Sequence, residues 1–182
     1  MKNSGWTMGL PAKIRKTDVS MDSSSIPAAE FRQVMGQFAT GVTIITTRDA
    51  HGAAQGLTIN SFASLSLDPP LVMWSLRLNS TSLAAFRAAT HFAINVLSAE
   101  QEDTSKTFAR PGDRFAGIDW QAGENGMPLL NGSLAWIECE RFAEYPGGDH
   151  VIFVGRVIRA RHSEGMPLLY WRGAYFPAGD KA

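Results

Sequence analysis

GLTINSFASLSLDPP, residues 56–70, follows a strand-like run yet crowds hydroxyls, small residues and an amide into one short segment. Gly56, Thr58, Asn60, Ser61, Ala63, Ser64 and Ser66 keep the backbone slim and rich in hydrogen-bonding groups. Asp68-Pro69-Pro70 then stops the run, because proline lacks an N–H and restricts the residue before it. A simple turn needs only about two to five residues. The surplus of small polar groups therefore points to something accommodated against this backbone.

Working outward, the flanks are strands. VTIITT (42–47) is β-branched almost throughout, RDAHG (48–52) carries turn chemistry, and AAQGLTI (53–59) returns. On the far side LVMWSL (71–76) is too apolar for a wet edge. Upstream, Phe31, Val34, Met35 and Phe38 recur at helical spacing. They predict a helix over 26–40, capped by Ser25 and ended by Gly41. Residues 1–25, ending in DSSS, read as a flexible tail, and 26–182 as one domain.

Downstream, LAAFRAA reads as a short helix behind Asn79-Ser80-Thr81-Ser82, and HFAINVL (91–97) as a strand. Ser98 and Gln101 form a capping-box pattern that opens a helix to about Ala109. Residues 110–128 are Gly-rich and irregular, and loops of that length are usually functional. SLAWIECERF (133–142) and HVIFVGRVIRARH (150–162) form a hairpin around YPGGD, and PLLYWRGAYF (167–176) is a closing segment. Six or seven strands in mostly hairpin order, with short helices, favour a closed or partly closed antiparallel barrel over a doubly wound parallel sheet.

Composition narrows the function classes. The 182 residues are 45% hydrophobic and 19% charged, the balance of an ordinary globular domain. Seventeen cations match seventeen carboxylates, which leaves no electrostatic footprint for nucleic acid or an anionic membrane. Lys2, Lys13, Arg15 and Lys16 outweigh Asp18 and Asp22 within the first 22 residues. No apolar secretory core follows Met1, and no run reaches the ~20 apolar residues of a membrane span. The single Cys139 excludes an internal disulfide, and with four scattered histidines it offers no zinc spacing. The expectation is a cytoplasmic protein without a metal.

The chain has no G-x-G-x-x-G, no Walker A sequence and no G-x-S-x-G. What it does have suits a flat, phosphorylated ligand. The hydroxyls and N–H groups of 79–82 attract phosphate, Arg77 just before them can supply a guanidinium, and Thr58 to Ser64 can meet the edge of a heterocycle. On its own the 79–82 stretch is equally a helix cap.

FATGVTIITT, GLTINSFASLSLDPPLVMWS, HFAINVL, the RF of GDRF, MPLLNGSLAWIEC and GGDHVIFVGRV stand in that order over residues 31–175. Together they resemble the flavin reductase-like family. The resemblance implies the FMN-binding split β-barrel, mainly β with short helices and antiparallel Greek-key connections. It implies that Thr58, Asn60, Ser61, Ala63 and Ser64 contact the flavin ring and ribityl chain. Arg77, Ser80 and Thr81 become implied phosphate contacts, and His150 of GGDH is placed beside the nicotinamide. Arg114 and Phe115 of GDRF are implied to line the same cleft, with Tyr175 a weaker candidate.

The activity implied is hydride transfer from NADH or NADPH to FMN, or to FAD. The cofactor carries the chemistry and the protein aligns two rings, so no strong acid or base is needed. The resemblance also implies a homodimer and a separate flavin-dependent monooxygenase as recipient of reduced flavin. An electron carrier that retains its FMN, and a non-catalytic flavin-binding module, use the same residues and stay open at this point.

Overall fold

The computed structural model describes residues 26–177. The predicted tail and the Ser25 cap lie outside them. Helix α1 is shorter than its apolar spacing suggests, Ala28–Met35, and ends in Gly36. None of its residues is buried: Phe31, Val34, Met35 and Phe38 are all more than half exposed. The helical period was legible, but a period does not say whether the stripe meets a core.

Strands β1 (Thr40–Gly41), β2 (Thr43–Arg48) and β3 (Ala54–Ile59) follow. Strand β2 is buried on both faces, as a β-branched run should be, with Ile44 in one hydrophobic cluster and Ile45 in another. The stretch after β3 departs from expectation, because Ala63–Leu67 forms a strand, β4, where the residues suggested irregular backbone. It pairs with β5 (Pro70–Arg77) across the turn at Asp68-Pro69, so the prolines end one strand and begin the next.

Helix α2 (Leu83–Ala88) leads to β6 (His91–Val96). A single tight turn, Ala99–Gln101, then opens α3 (Glu102–Ala109), and Ser98 N–H donates to Gln101 Oε1 at 3.1 Å as the capping box requires. The long segment 110–128 is not wholly irregular. Trp120–Ala122 (β7) pairs with Pro128–Leu130 (β8). The buried Asn95 fastens β8 to the sheet by accepting from Leu130 N–H at 2.8 Å and donating to the Ile44 carbonyl at 3.0 Å.

Strand β10 (His150–His162) is the expected 150–162, whereas β9 (Ala135–Gly147) runs on past its expected end at Phe142, which leaves only Gly148 and Asp149 as the turn. The closing segment is a hairpin of β11 (Leu168–Trp171) and β12 (Ala174–Pro177), turned by Arg172 and Gly173 with φ of 49° and 84°. The described residues thus hold twelve strands rather than six or seven.

The main sheet runs β3-β2-β6-β9-β10-β5-β4, and every pair in it is antiparallel. Its hairpins are β2–β3, β4–β5 and β9–β10, whereas β2–β6, β6–β9 and β10–β5 join distant stretches in the Greek-key manner. The sheet does not close, since β3 and β4 are its edges. In the segment that leads from β3 to β4, Ser61 Oγ holds β5, accepting from Ser75 N–H at 3.0 Å and donating to the Ser75 carbonyl at 3.3 Å. Inside, Trp74 stacks on Phe153 at 4.7 Å with Phe86 and Phe92 edge-on. Among the described residues no helix is long and apolar enough to cross a membrane.

Candidate active site

A cleft of about 590 Å³ opens where β3 ends, beside the ends of β5 and α3. Thr58, Asn60 and Ser61 form one wall, Ser75 and Arg77 a second, and Asn79, Ser80 and Thr81 the corner before α2. Phe108, Ala109, Pro111 and Arg114 close the third side, and His150 stands at the start of β10. Antiparallel register brings His150 opposite Arg77, so residues 73 apart in the chain share one rim.

Two close approaches build this geometry. Gly56 lets the Phe108 ring lie on β3, because a Cβ there would sit 2.6 Å from Phe108 Cε1. Arg114 then spans the floor, donating from Nη1 to the Gly56 carbonyl at 2.8 Å and to Ser82 Oγ at 3.1 Å, while Nε holds the Arg110 carbonyl at 2.8 Å. The loop after α3 is thereby fastened to β3 and to the start of α2 by one guanidinium.

Several hydroxyls expected to face a ligand are partly committed to this frame. Thr58 Oγ1 donates to the Ser105 carbonyl at 2.7 Å, and Ser105 Oγ lies 2.9 Å from the Tyr175 hydroxyl. Ser80 Oγ accepts from Ser82 N–H at 3.3 Å, and Ser82 is buried without a side-chain capping bond. Each hydroxyl oxygen still has lone pairs for a second partner.

The cleft's lining includes Arg77, Arg114 and His150 but no carboxylate. The nearby acid is Asp149, whose Oδ1 lies 2.7 Å from His150 Nδ1. That hydrogen bond, followed by the charges of His150 and Arg77, holds the Asp149 carboxyl below the usual carboxylate range. Cys139 is buried away from the cleft, and burial pushes its thiol up to about 12. Among the described residues no group of side chains is placed to hold a metal ion.

Thr58, Asn60, Ser61, Arg77, Ser80, Thr81, Arg114 and His150 are therefore brought together. Ala63 and Ser64 are not: both are exposed on the edge strand β4, past the point where the chain leaves the cleft. Phe115 turns inward, edge-on to Phe108 at 5.0 Å, and belongs to a core cluster. Tyr175 lines a neighbouring 190 Å³ recess with Thr58, Ile59 and Asn60. Ser75, Phe108 and Pro111 were not singled out from the sequence, and Asn79 entered only as part of the 79–82 run and not as an implied contact. Only Asn79 carried a local signal, being part of the polar run before α2.

An open antiparallel split-barrel sheet with a cleft that holds two arginines and, among the described residues, no carboxylate is suited to an anionic ligand. Residues 35–179 match the flavin reductase like domain, and the chain belongs to that family. It is 49% identical over 145 residues to the FMN reductase (NADH) SmoA of Agrobacterium fabrum, covering 80% of this chain and 83% of that one. To the reductase subunit HsaB of a flavin-dependent monooxygenase of Rhodococcus jostii it is 45% identical over 160 residues, covering 87% and 82%. Against the reductase component of the trigonelline monooxygenase of Acinetobacter baylyi, at 45% identity, the match covers 81% of this chain but only 48% of that protein. Among solved structures, the NADH:FAD oxidoreductase SgcE6 of Streptomyces globisporus superposes with a TM-score of 0.80 at 36% identity, over 85% of this chain and 94% of that one.

Proposed function

We infer that this chain is an NAD(P)H-dependent flavin reductase that supplies reduced FMN, or FAD, to a separate monooxygenase. The observation that carries this reading is a cleft whose lining, among the described residues, holds Arg77 and Arg114 with His150 beside them and no carboxylate. A nucleotide with a flat ring and a phosphate fits that set: Ile59, Ala109 and Pro111 offer apolar surface, and Asn60, Ser61 and Asn79 offer hydrogen bonds. Arg77, Ser80 and Thr81 would hold the phosphate, with Thr58, Asn60 and Ser61 along the ring edge and His150 on the nicotinamide side.

When bound, the flavin supplies a ring that takes two electrons as a hydride from C4 of the nicotinamide. The chain contributes alignment and charge. Its fixed amides and hydroxyls restrict two rings to a reactive geometry, and its cations lower the energy of negative charge as it develops. Arg114 is placed for the second task only through a guanidinium already held by Gly56 and Ser82.

A homodimer is supported by the outer face of the sheet. Val72, Trp74 and Leu76 point into the core, so Leu71, Met73 and Ser75 point out, alongside Ile152 and Tyr145 of the paired strands. This apolar face continues into the Ser75–Arg77 rim, and Leu65 and Tyr145 are each 50% exposed in one chain. Light scattering after gel filtration should return twice the mass of 19.8 kDa. We place the protein in the cytoplasm, with the pool of reduced nicotinamide nucleotide.

The enzymatic reading is tested by NADH and NADPH oxidation with added FMN, FAD or riboflavin, together with the colour of the purified protein. Turnover that requires added flavin supports it. A yellow protein that consumes neither nucleotide would overturn it.

A further inference from the structure

Asp149 lies outside the cleft, yet its backbone and side chain both bear on a residue that lines it. The two-residue turn between β9 and β10 requires Gly148 at φ 70°, which leaves Asp149 as the last residue before His150. The Asp149 carbonyl accepts from Leu78 N–H at 2.9 Å, so the turn is pinned to the chain just beyond Arg77. The Asp149 side chain is 84% exposed and could be fully hydrated, but it lies 2.7 Å from the His150 ring.

We propose that Asp149 is a positioning residue, which orients the His150 imidazole by accepting its Nδ1 proton and so leaves Nε2 as the nitrogen offered to the cleft. This rests on the reading of His150 as the group on the nicotinamide side. An ionised carboxylate only accepts, so Nδ1 must carry the proton wherever this bond forms. The Asp149 carboxyl is held below its usual range, first of all by that same bond, and therefore stays ionised at neutral pH. Arg77 on β5 is the register partner of His150, so a cation shares its rim of the cleft. The fixed tautomer suits Nε2 to accept a hydrogen bond, such as one from the amide N–H of a carboxamide ring.

An exposed ion pair contributes little to stability, and that makes the idea separable from a folding effect. The experiment compares Asp149→Ala, His150→Ala and the double variant in steady-state NADH oxidation with saturating FMN, alongside FMN binding by fluorescence and thermal unfolding. Asp149→Ala should raise the NADH KM or lower kcat by about tenfold while FMN affinity and Tm barely move. The double variant should be no worse than His150→Ala, since a positioning residue has nothing left to position. If His150→Ala is impaired and Asp149→Ala is not, the positioning role is wrong. Losses that multiply in the double variant would make Asp149 independent of His150 and also overturn it. If neither single variant changes KM or kcat, the nicotinamide-side reading of His150 fails first and takes this proposal with it.

Discussion

Arg114 Nη1 lies 2.8 Å from the Gly56 carbonyl and 3.1 Å from Ser82 Oγ, so one guanidinium ties the loop after α3 to two walls of the cleft. Hydrogen bonds from a charged donor contribute more than neutral ones, although partial exposure reduces the gain. Arg114→Ala should cost about 1–2 kcal/mol, or a fall of roughly 2–8 °C in Tm. FMN affinity should fall more than tenfold as the loop comes loose. Differential scanning fluorimetry and flavin fluorescence titration measure both. Arg114→Lys should recover little, because one ammonium cannot reproduce the planar fork.

Gly56 allows the close contact on which that wall depends. Gly56→Ala places a methyl 2.6 Å from the Phe108 ring and 3.3 Å from the Ile45 carbonyl, in a region with no room to yield. Overpacking of this kind costs about 1–3 kcal/mol. Urea unfolding should show a lowered midpoint with an unchanged slope. A midpoint equal to wild type would mean that β3 and α3 separate more easily than their packing suggests.

Ser80 and Thr81 test the phosphate. If they and Arg77 hold it, the protein should prefer FMN to riboflavin, which has the same ring without the phosphate. Ser80→Ala/Thr81→Ala should weaken FMN binding by ~1–3 kcal/mol and leave riboflavin nearly unmoved. General damage would weaken both ligands alike. A double variant that keeps the full preference would move the phosphate elsewhere in the cleft.

Asp49 makes the β2–β3 turn pH-dependent. Its carboxyl is held below the usual 3.8 chiefly by the His51 N–H, which outweighs the opposing desolvation, and further by the Ala53 N–H and the Gln55 amide. A depressed folded value contributes stability that is present above 3.8 and lost as pH falls through the folded value. Asp49→Asn should therefore lower Tm by about one or two degrees at pH 7, since the group is exposed. Melting curves should converge with wild type only once the pH has fallen below the depressed folded value. A gap that persists there would show that the amide fails for geometric rather than ionic reasons.

Most strands were readable because side-chain period and β-branching are local properties. VTIITT announced a strand buried on both faces, and β2 is one. The Ser98–Gln101 cap was equally local and stands where it was expected. Strand β4 was hidden for the opposite reason. Its ASLSL sequence mixes small polar residues with the exposed Leu65 and Leu67 and buries none of them, so it is a strand only because β5 gives it a partner. The β7–β8 hairpin was likewise hidden in a Gly-rich stretch, and depends on Asn95 reaching across from β6.

The sequence alone determined the antiparallel class, the family and half of the residues that line the cleft, because ordered motifs and periodicity survive without coordinates. Tertiary structure decided which side chains reach the site. Phe115 adjoins Arg114 in the chain, yet one packs inward on Phe108 and the other spans the cleft floor. Ala63 and Ser64 follow Ser61 closely, but the bond from Ser61 to Ser75 turns the chain out of the cleft before they are reached. The exposed apolar stripe of α1 has the same cause. Local pattern sets the shape of an element, and only long-range pairing sets what that element faces.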